Sequence, residues 1–247
     1  MDRMIYLAMT GAKQLLYEQD VVAQNLANAS TTGYRAETSA FRAVPVFGPG
    51  APTRSFVEDS TPGSDFAPAP LEQTGRPLDV ALQGEGWIAV QRPDGSEAYT
   101  RDGSLRVSAN GVLQTRSGLN VLGDGGPLSV PPDAAVTIGG DGTVSVIPPG
   151  TQPSAIAAVG RIKLVNPDPS QLVRGGDGLF SLQGGGAAPS DSDVKLVSGA
   201  LEDSNVNVVE AMVSMIDLAR QFDMQMKLLS NAAGNAREAS QIFNVTA

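Results

Sequence analysis

The sequence predicts an α+β protein, with long N- and C-terminal helices of the coiled-coil type flanking an all-β, antiparallel central domain. Two observations carry this. All 17 prolines fall between Pro45 and Pro189, and 25 of the 28 glycines between Gly48 and Gly199. Two helix-compatible ends therefore enclose a turn-rich middle. The ends also repeat apolar residues every three and four positions, whereas the middle alternates apolar and polar residues in short runs, the two periods that separate helix from strand.

In the N-terminal segment, residues 1–36, the positions Ile5, Ala8, Ala12, Leu15, Gln19, Val22, Leu26 and Ala29 alternate steps of three and four, and only Gln19 is polar. Such a seam predicts a helix over about residues 1–30 with one face available to another helix. The stretch "QNLANASTTGYRAET" then changes character. The amides of Asn25 and Asn28 and the hydroxyls of Ser30, Thr31 and Thr32 suit bonds to backbone groups at a helix end. Gly33 suits the left-handed conformation that stops a helix, and Tyr34 suits an anchor for the extended chain that follows. Residues 37–70, with Pro45, Pro49, Pro52, Pro62, Pro68 and Pro70, read as an extended arm or linker.

The central domain is expected over residues 71–198. "LDVAL", "WIAVQ", "EAYTR", "SLRVS", "VLQTR", "AVTI", "TVSVI", "GRIKLV", "LFSL" and "DVKLV" are short, alternating or β-branched. Between them stand Asp94-Gly95, Asp102-Gly103, Asn110-Gly111, Asp124-Gly125, Asp141-Gly142 and Asp177-Gly178, dipeptides that supply positive φ to tight hairpins. Trp87, the only tryptophan, is expected in this core.

The C-terminal segment, residues 199–247, repeats the heptad seam at greater length. Val208, Met212, Met215, Ala219, Phe222, Met226, Leu229, Ala233, Ala236, Ser240 and Phe243 alternate steps of four and three, with Ser240 alone polar. Asn207, three residues before Glu210, reads as the N-cap. A helix over about 207–243 would be about 55 Å long at ~1.5 Å per residue.

Composition narrows the function. The chain has no His and no Cys, which removes disulfides, thiol nucleophiles, the usual general base and the commonest metal ligands. The net charge of −9 is spread along the chain with no basic block, so no nucleic-acid partner is expected. The Asp-Gly pairs lack the alternating oxygen ligands of a calcium loop, and "GEGW" and "GGDG" lack a nucleotide fingerprint. Asn28-Ala29-Ser30 and Asn244-Val245-Thr246 match the glycosylation sequon, which is too short to be specific. No catalytic residue, cofactor or metal is expected, and the chain is not read as an enzyme. Asp2 stands where a secretory signal would be basic, and Lys13 and Gln14 interrupt the apolar run, so no cleaved signal peptide is expected. No run approaches the ~20 apolar residues of a membrane span, and the C-terminal helix lacks the basic face of a membrane-surface helix.

Packing energetics point beyond one chain. Ordering each helical residue costs roughly 1–2 kcal/mol of backbone entropy, and an Ala-rich seam returns little at ~0.8 kcal/mol per buried CH₂. A single pair of these helices is marginal, whereas a bundle of several chains covers both faces of each.

Three stretches then carry a resemblance. "QNLANASTTGYRAET" resembles the N-terminal signature of bacterial flagellar rod and hook proteins. "LDVALQGEGWIAV" with "YTRDGSLRVSANGVLQTRSGLNVLG" resembles the start of their central β domain, and "GALEDSNVNVVEAMVSMIDLARQFDMQMKLL" their C-terminal signature. "MDRMIYLAMTGA" and "MIDLARQFDMQMKLL" are most similar to the proximal-rod branch; the distal-rod branch is the alternative. The resemblance implies a tube whose paired terminal helices line a channel and whose β domain faces outward. It implies export through the flagellar type III apparatus and a place in the periplasmic rod of the basal body. The implied partners are other copies of the chain, neighbouring rod proteins, the export apparatus and surrounding basal-body rings. The implied polymer contacts are Ile5, Ala8, Ala12, Leu15, Val22, Asn25, Leu26, Asn28, Gly33 and Tyr34, with Val208, Met212, Met215, Ala219, Phe222, Met226, Leu229 and Ala233. From another class, a secreted β-domain adhesin with a coiled-coil stalk fits the same pattern of elements.

Overall fold

β-Branched and aromatic runs in the middle of the chain form strands because their side chains pack on a pleated surface, and in the computed structural model those runs are antiparallel throughout. The structure describes residues 2–45, 55–59, 63–131, 134–147 and 157–244. Pro49, Pro52 and Pro62 of the arm, and Val245-Thr246 of the second sequon, lie outside them. The chain is α+β and divides into two compact units: a helical unit of residues 1–29, 36–65 and 206–247, and a β unit of residues 30–35 and 66–205.

In the β unit the largest sheet runs in the order Leu172–Arg174, Phe180–Leu182, Glu97–Thr100, Trp87–Gln91, Asn120–Gly123, Leu113–Thr115, Leu105–Val107. Leu164–Val165 also pairs with Trp87–Gln91, and Gly126–Pro127 with Asn120–Gly123. A second sheet joins Ala135–Ile138, Thr143–Ile147 and Ala157–Arg161. Two further pairs join Lys195–Ser198 to Val80–Gln83, and Ala200–Glu202 to Leu71–Gln73. The run "GRIKLV" is not one strand: it breaks at Ile162-Lys163 and serves two sheets.

Trp87–Gln91 is covered on both faces, and because successive side chains alternate it feeds two cores. Ile88 and Val90 pack with Leu105, Leu113, Val121 and Leu164. Trp87 and Ala89 pack with Tyr99, Leu122, Val165 and Phe180, and Phe66 closes over them. Phe66 meets the Trp87 ring edge-on at 5.8 Å, and Phe180 lies 4.6 Å from it. Full burial of each such aliphatic side chain contributes about 1.5–3 kcal/mol. Polar groups in this core are paired: Tyr99 Oη donates to Glu97 Oε1 at 3.0 Å and accepts from Ala188 N at 2.7 Å, and Lys163 Nζ holds Glu97 at 2.8 Å.

Of the expected turn dipeptides, Gly95, Gly111, Gly142 and Gly178 take positive φ, and Gly103 and Gly125 do not. Gly95 takes φ +86°, as a tight hairpin requires. Gly103 does not take positive φ; a Cβ there would sit 1.6 Å from the Val80 carbonyl oxygen. Gly103 is needed for close backbone approach, not for a turn.

In the helical unit, α1 spans Asp2–Ala27 and α2 spans Val208–Asn244. α1 ends before the cluster of hydroxyls at residues 30–32, so Gly33 is not its stop. The described part of the arm is not irregular: Glu37–Thr38 pairs with Gly63–Ser64, and Phe41–Pro45 pairs with Ser55–Asp59 as a hairpin.

Candidate assembly interface

α2 starts where the sequence supplies a cap. Asn207 Oδ1 accepts from the backbone N–H of Val209 at 3.1 Å and of Glu210 at 3.3 Å, satisfying two of the donors a helix start leaves open. α1 packs along α2. Gly11 is opposite Gln225, whose side-chain amide lies 3.5 Å from where a Cβ would stand. Gly11 is about as far from the end of α1 as Gln225 is from the start of α2, the match expected of an antiparallel pair with level ends.

On α1, Ala12 is buried and Ile5, Ala8, Leu15, Val22, Asn25, Leu26 and Asn28 are half-buried. On α2, Met215, Phe222, Leu229 and Ala233 are half-buried, while Val208, Met212, Ala219 and Met226 are exposed. The stripe of α2 that is covered within the subunit runs through Ala211, Met215, Leu218, Phe222, Gln225 and Leu229. It shares Met215, Phe222 and Leu229 with the seam read from the sequence, and replaces Met212, Ala219 and Met226 by their neighbours one residue earlier. Leu218 is the most buried described residue of α2.

That shift leaves a second apolar stripe uncovered in the subunit. Val209 is 72% exposed, and Met212, Val213 and Ile216 are each half exposed or more. These positions share one helix face. α1 likewise exposes Tyr6, Met9, Leu16 and Tyr17.

The end of the N-terminal signature is held in two ways. In the helical unit, Asn25 makes a reciprocal pair with the backbone of Glu37: Nδ2 donates to the Glu37 carbonyl at 2.8 Å and Oδ1 accepts from its N–H at 2.8 Å. Asn28 Nδ2 donates to the Gln24 carbonyl at 2.9 Å. In the β unit, Gly33 is half-buried at φ +68° and donates its N–H to the Glu202 carbonyl at 2.7 Å. Tyr34 is buried, with the Arg174 guanidinium 4.5 Å above its ring.

Beside them lies a charged cluster that the sequence reading did not find. Arg35 Nη2 donates to Glu202 Oε1 at 2.6 Å, and Arg101 Nη1 donates to Glu202 Oε2 at 2.8 Å. Glu202 Oε1 also accepts from the Ala69 N–H at 3.1 Å. Arg101 donates on to the carbonyls of Gly84 and Gly86, and Arg174 Nη1 donates to the carbonyl of Arg35. Burial pushes the Arg101 guanidinium below its ordinary value; Glu202 opposes that shift and Arg35 adds to it. The only signal in the sequence was that each of the three resembling stretches contains one of these charges. Among the described residues there is no group of three or more His, Cys, Asp or Glu that could hold a metal ion. Among them, too, no helix is long and apolar enough to cross a membrane.

The same three stretches are the ones that family models match. The model for the flagella basal body rod protein covers residues 5–35, ending on Arg35. The flagellar hook protein FlgE/F/G D1 domain covers 81–146, with Arg101. The flagellar basal body rod FlgEFG protein C-terminal covers 197–242, with Glu202. The chain belongs to the flagellar basal-body rod protein family. Within it, the chain is similar over its whole length to FlgF of Escherichia coli (49% identity across all of both chains) and to FlgF of Salmonella typhimurium (47%, again across all of both). FlgG of Buchnera aphidicola subsp. Schizaphis graminum is 31% identical over 96% of this chain and 98% of its own.

Proposed function

We propose that the chain is a structural axial subunit of the proximal flagellar rod, polymerising through α1 and α2 to transmit torque and to wall the export channel. The observation that carries this is the uncovered apolar stripe of Val209, Met212, Val213 and Ile216 on α2. A helix that is apolar beyond the face its own subunit covers needs another helix. Family membership supplies the context, and identities of 49% and 47% over the whole chain to FlgF of two species favour the proximal over the distal rod.

In this reading the residue ranges 1–36 and 199–247 supply the polymer core, 37–70 the arm and 71–198 the outward β domain. Ile5, Ala8, Ala12, Leu15, Val22, Asn25, Leu26, Asn28, Gly33, Tyr34, Val208, Met212, Met215, Ala219, Phe222, Met226, Leu229 and Ala233 belong to the interface or its junction. The partners are further copies of the chain and neighbouring rod proteins, with the basal-body rings outside. The chain reaches the periplasmic rod through the export apparatus. The reading assigns it no enzymatic activity, no cofactor, no nucleic-acid partner and no direct membrane insertion.

Imaging of purified basal bodies carrying a tag on this subunit tests the reading. Density for the tag is expected in the proximal rod. Density confined to the distal rod establishes the alternative assignment, and a stable soluble oligomer with no density in the basal body favours the adhesin with a stalk.

A further inference from the structure

Polar side chains are buried or half-buried midway along α1. Gln14 is 9% exposed, and its Nε2 donor has no hydrogen-bond partner among the described residues. Gly11, one turn earlier, receives the side-chain amide of Gln225 from α2. Glu18, one turn later on the same side of α1, is half-buried, and burial pushes its carboxyl above the ordinary range. The apolar residues that are buried or half-buried on the two helices include Ala12, Leu15 and Val22 on α1 and Leu218, Phe222 and Leu229 on α2.

A buried amide donor without a partner lowers stability, and a single polar layer in a helix seam fixes register at that expense. Apolar positions recur at heptad spacing along both helices, with Gln19 and Ser240 the polar exceptions, so the apolar residues alone do not distinguish the observed register from one displaced by seven residues. The glutamines do. Gln225 lies over Gly11, the only glycine of α1, at ordinary contact distance from where a Cβ would stand; a seven-residue slip would set it over a position that carries a longer side chain. We propose that the layer of Gly11, Gln14 and Gln225 sets the register of α1 against α2 and is also the deliberate weak point of the pair. The helices then dock in one alignment only, and loosely enough to be repacked.

The chain contains no cysteine, so cross-linking in the full-length free subunit reads register directly. An antiparallel pair with Gly11 opposite Gln225 sets Ala8 beside Leu229, and a one-heptad slip sets it beside Phe222. Ala8→Cys with Leu229→Cys should cross-link, and Ala8→Cys with Phe222→Cys should not. After Gln14→Leu with Gln225→Leu, both pairs should cross-link. Amide exchange across residues 8–20 and 215–229 of the Leu variant should slow by about tenfold or more, as relief of one unpaired buried donor implies. Two results overturn the proposal. One is a variant that still cross-links only through Leu229→Cys, which means that apolar packing sets the register. The other is unchanged or faster exchange, which means that the layer is no weak point. Far-ultraviolet circular dichroism and Trp87 fluorescence of each variant verify that its helices and its β unit are folded, so that either result bears on the seam itself.

Discussion

Arg35 and Glu202 are 167 residues apart in the chain and 2.6 Å apart in the fold, both almost completely buried. With Arg101 they place two guanidiniums around one carboxylate, and Arg35 Nε and Nη1 have no hydrogen-bond partner among the described residues. The two sides of the cluster are therefore unequal. Glu202→Gln leaves two buried cations uncompensated and should cost about 3–5 kcal/mol. Arg35→Met removes an unsatisfied cation together with its attraction to Glu202, and should cost clearly less. Urea unfolding followed by Trp87, whose ring lies 5.6 Å from Arg101, measures both. Equal losses would show that the three charges are balanced by something other than each other.

Gly33 should tolerate no side chain. Its left-handed backbone alone disfavours Ala by roughly 1–2 kcal/mol, and a Cβ would stand 2.3 Å from the Arg101 carbonyl carbon. Gly33→Ala is expected to destabilise the β unit by more than the backbone term, with loss of the bond from Gly33 N to the Glu202 carbonyl. The urea midpoint checks this, and amide exchange at Gly33 and its neighbours locates it.

The two stripes of α2 should separate assembly from folding. Met212→Asp and Ile216→Asp place a charge on a face that is already exposed, so the free subunit should unfold within ~0.5 kcal/mol of the unaltered chain. Rod assembly and motility should be lost, because the same charge would be buried without a partner in the polymer. Leu218→Asp, in the covered stripe, should instead reduce the helical circular dichroism of the free subunit and leave Trp87 fluorescence unchanged. Normal motility with Met212→Asp and Ile216→Asp would mean that this face meets no neighbour.

How much of this was legible follows from range and period. The two helices and most strands were readable because their signals are local: steps of three and four around Ile5, Ala8, Ala12 and Leu15, and alternation in "WIAVQ". The covered stripe of α2 was readable only to within one residue. Hydropathy ranks Met226 above Gln225, yet Gln225 is the residue that lies over Gly11, and a helix apolar on two adjacent faces does not say which one its own chain covers. The charged cluster had no readable pattern, since its members are joined by side-chain hydrogen bonds across 101 and 167 residues. Gly103 was misread as a turn residue because close approach of Val80 is a tertiary fact.

Tyr99 should titrate late. Burial, with the hydrogen bond to the Glu97 carboxylate adding to it, raises its phenol to about 12. The folded state therefore holds the neutral phenol more tightly than the unfolded chain does. That contribution is complete below about pH 10, the value of a free tyrosine, and is lost as pH rises toward 12. Tyrosinate absorbance of the folded protein should show one of the four tyrosines ionising last, and Tyr99→Phe should remove that step. The Phe variant should also lose less stability than the parent between pH 10 and 12. A late step that survives the substitution would place it on another tyrosine.

The last expectation concerns the order of protection along the chain. The β unit buries Ile88, Val90, Tyr99, Leu105, Leu113 and Val121 completely, whereas on α2 the described side chains are mostly exposed or half-buried. A helix about 55 Å long at ~1.5 Å per residue, with one narrow covered stripe, gains too little burial to match the entropy of ordering it. In the free subunit, amides of α1 and α2 should therefore exchange fast, and those of Trp87–Gln91, Glu97–Thr100 and Asn120–Gly123 slowly. In assembled rods the second stripe of Val209, Met212, Val213 and Ile216 should become covered, and the helices should become the slower part. Such loose ends would also suit the proposed passage through a narrow export channel, where a stable coiled coil would be an obstacle. If α2 of the isolated subunit were protected as strongly as the central sheet, the helix pair would be self-sufficient, and the exposed stripe would lose its claim to be the surface that drives polymerisation.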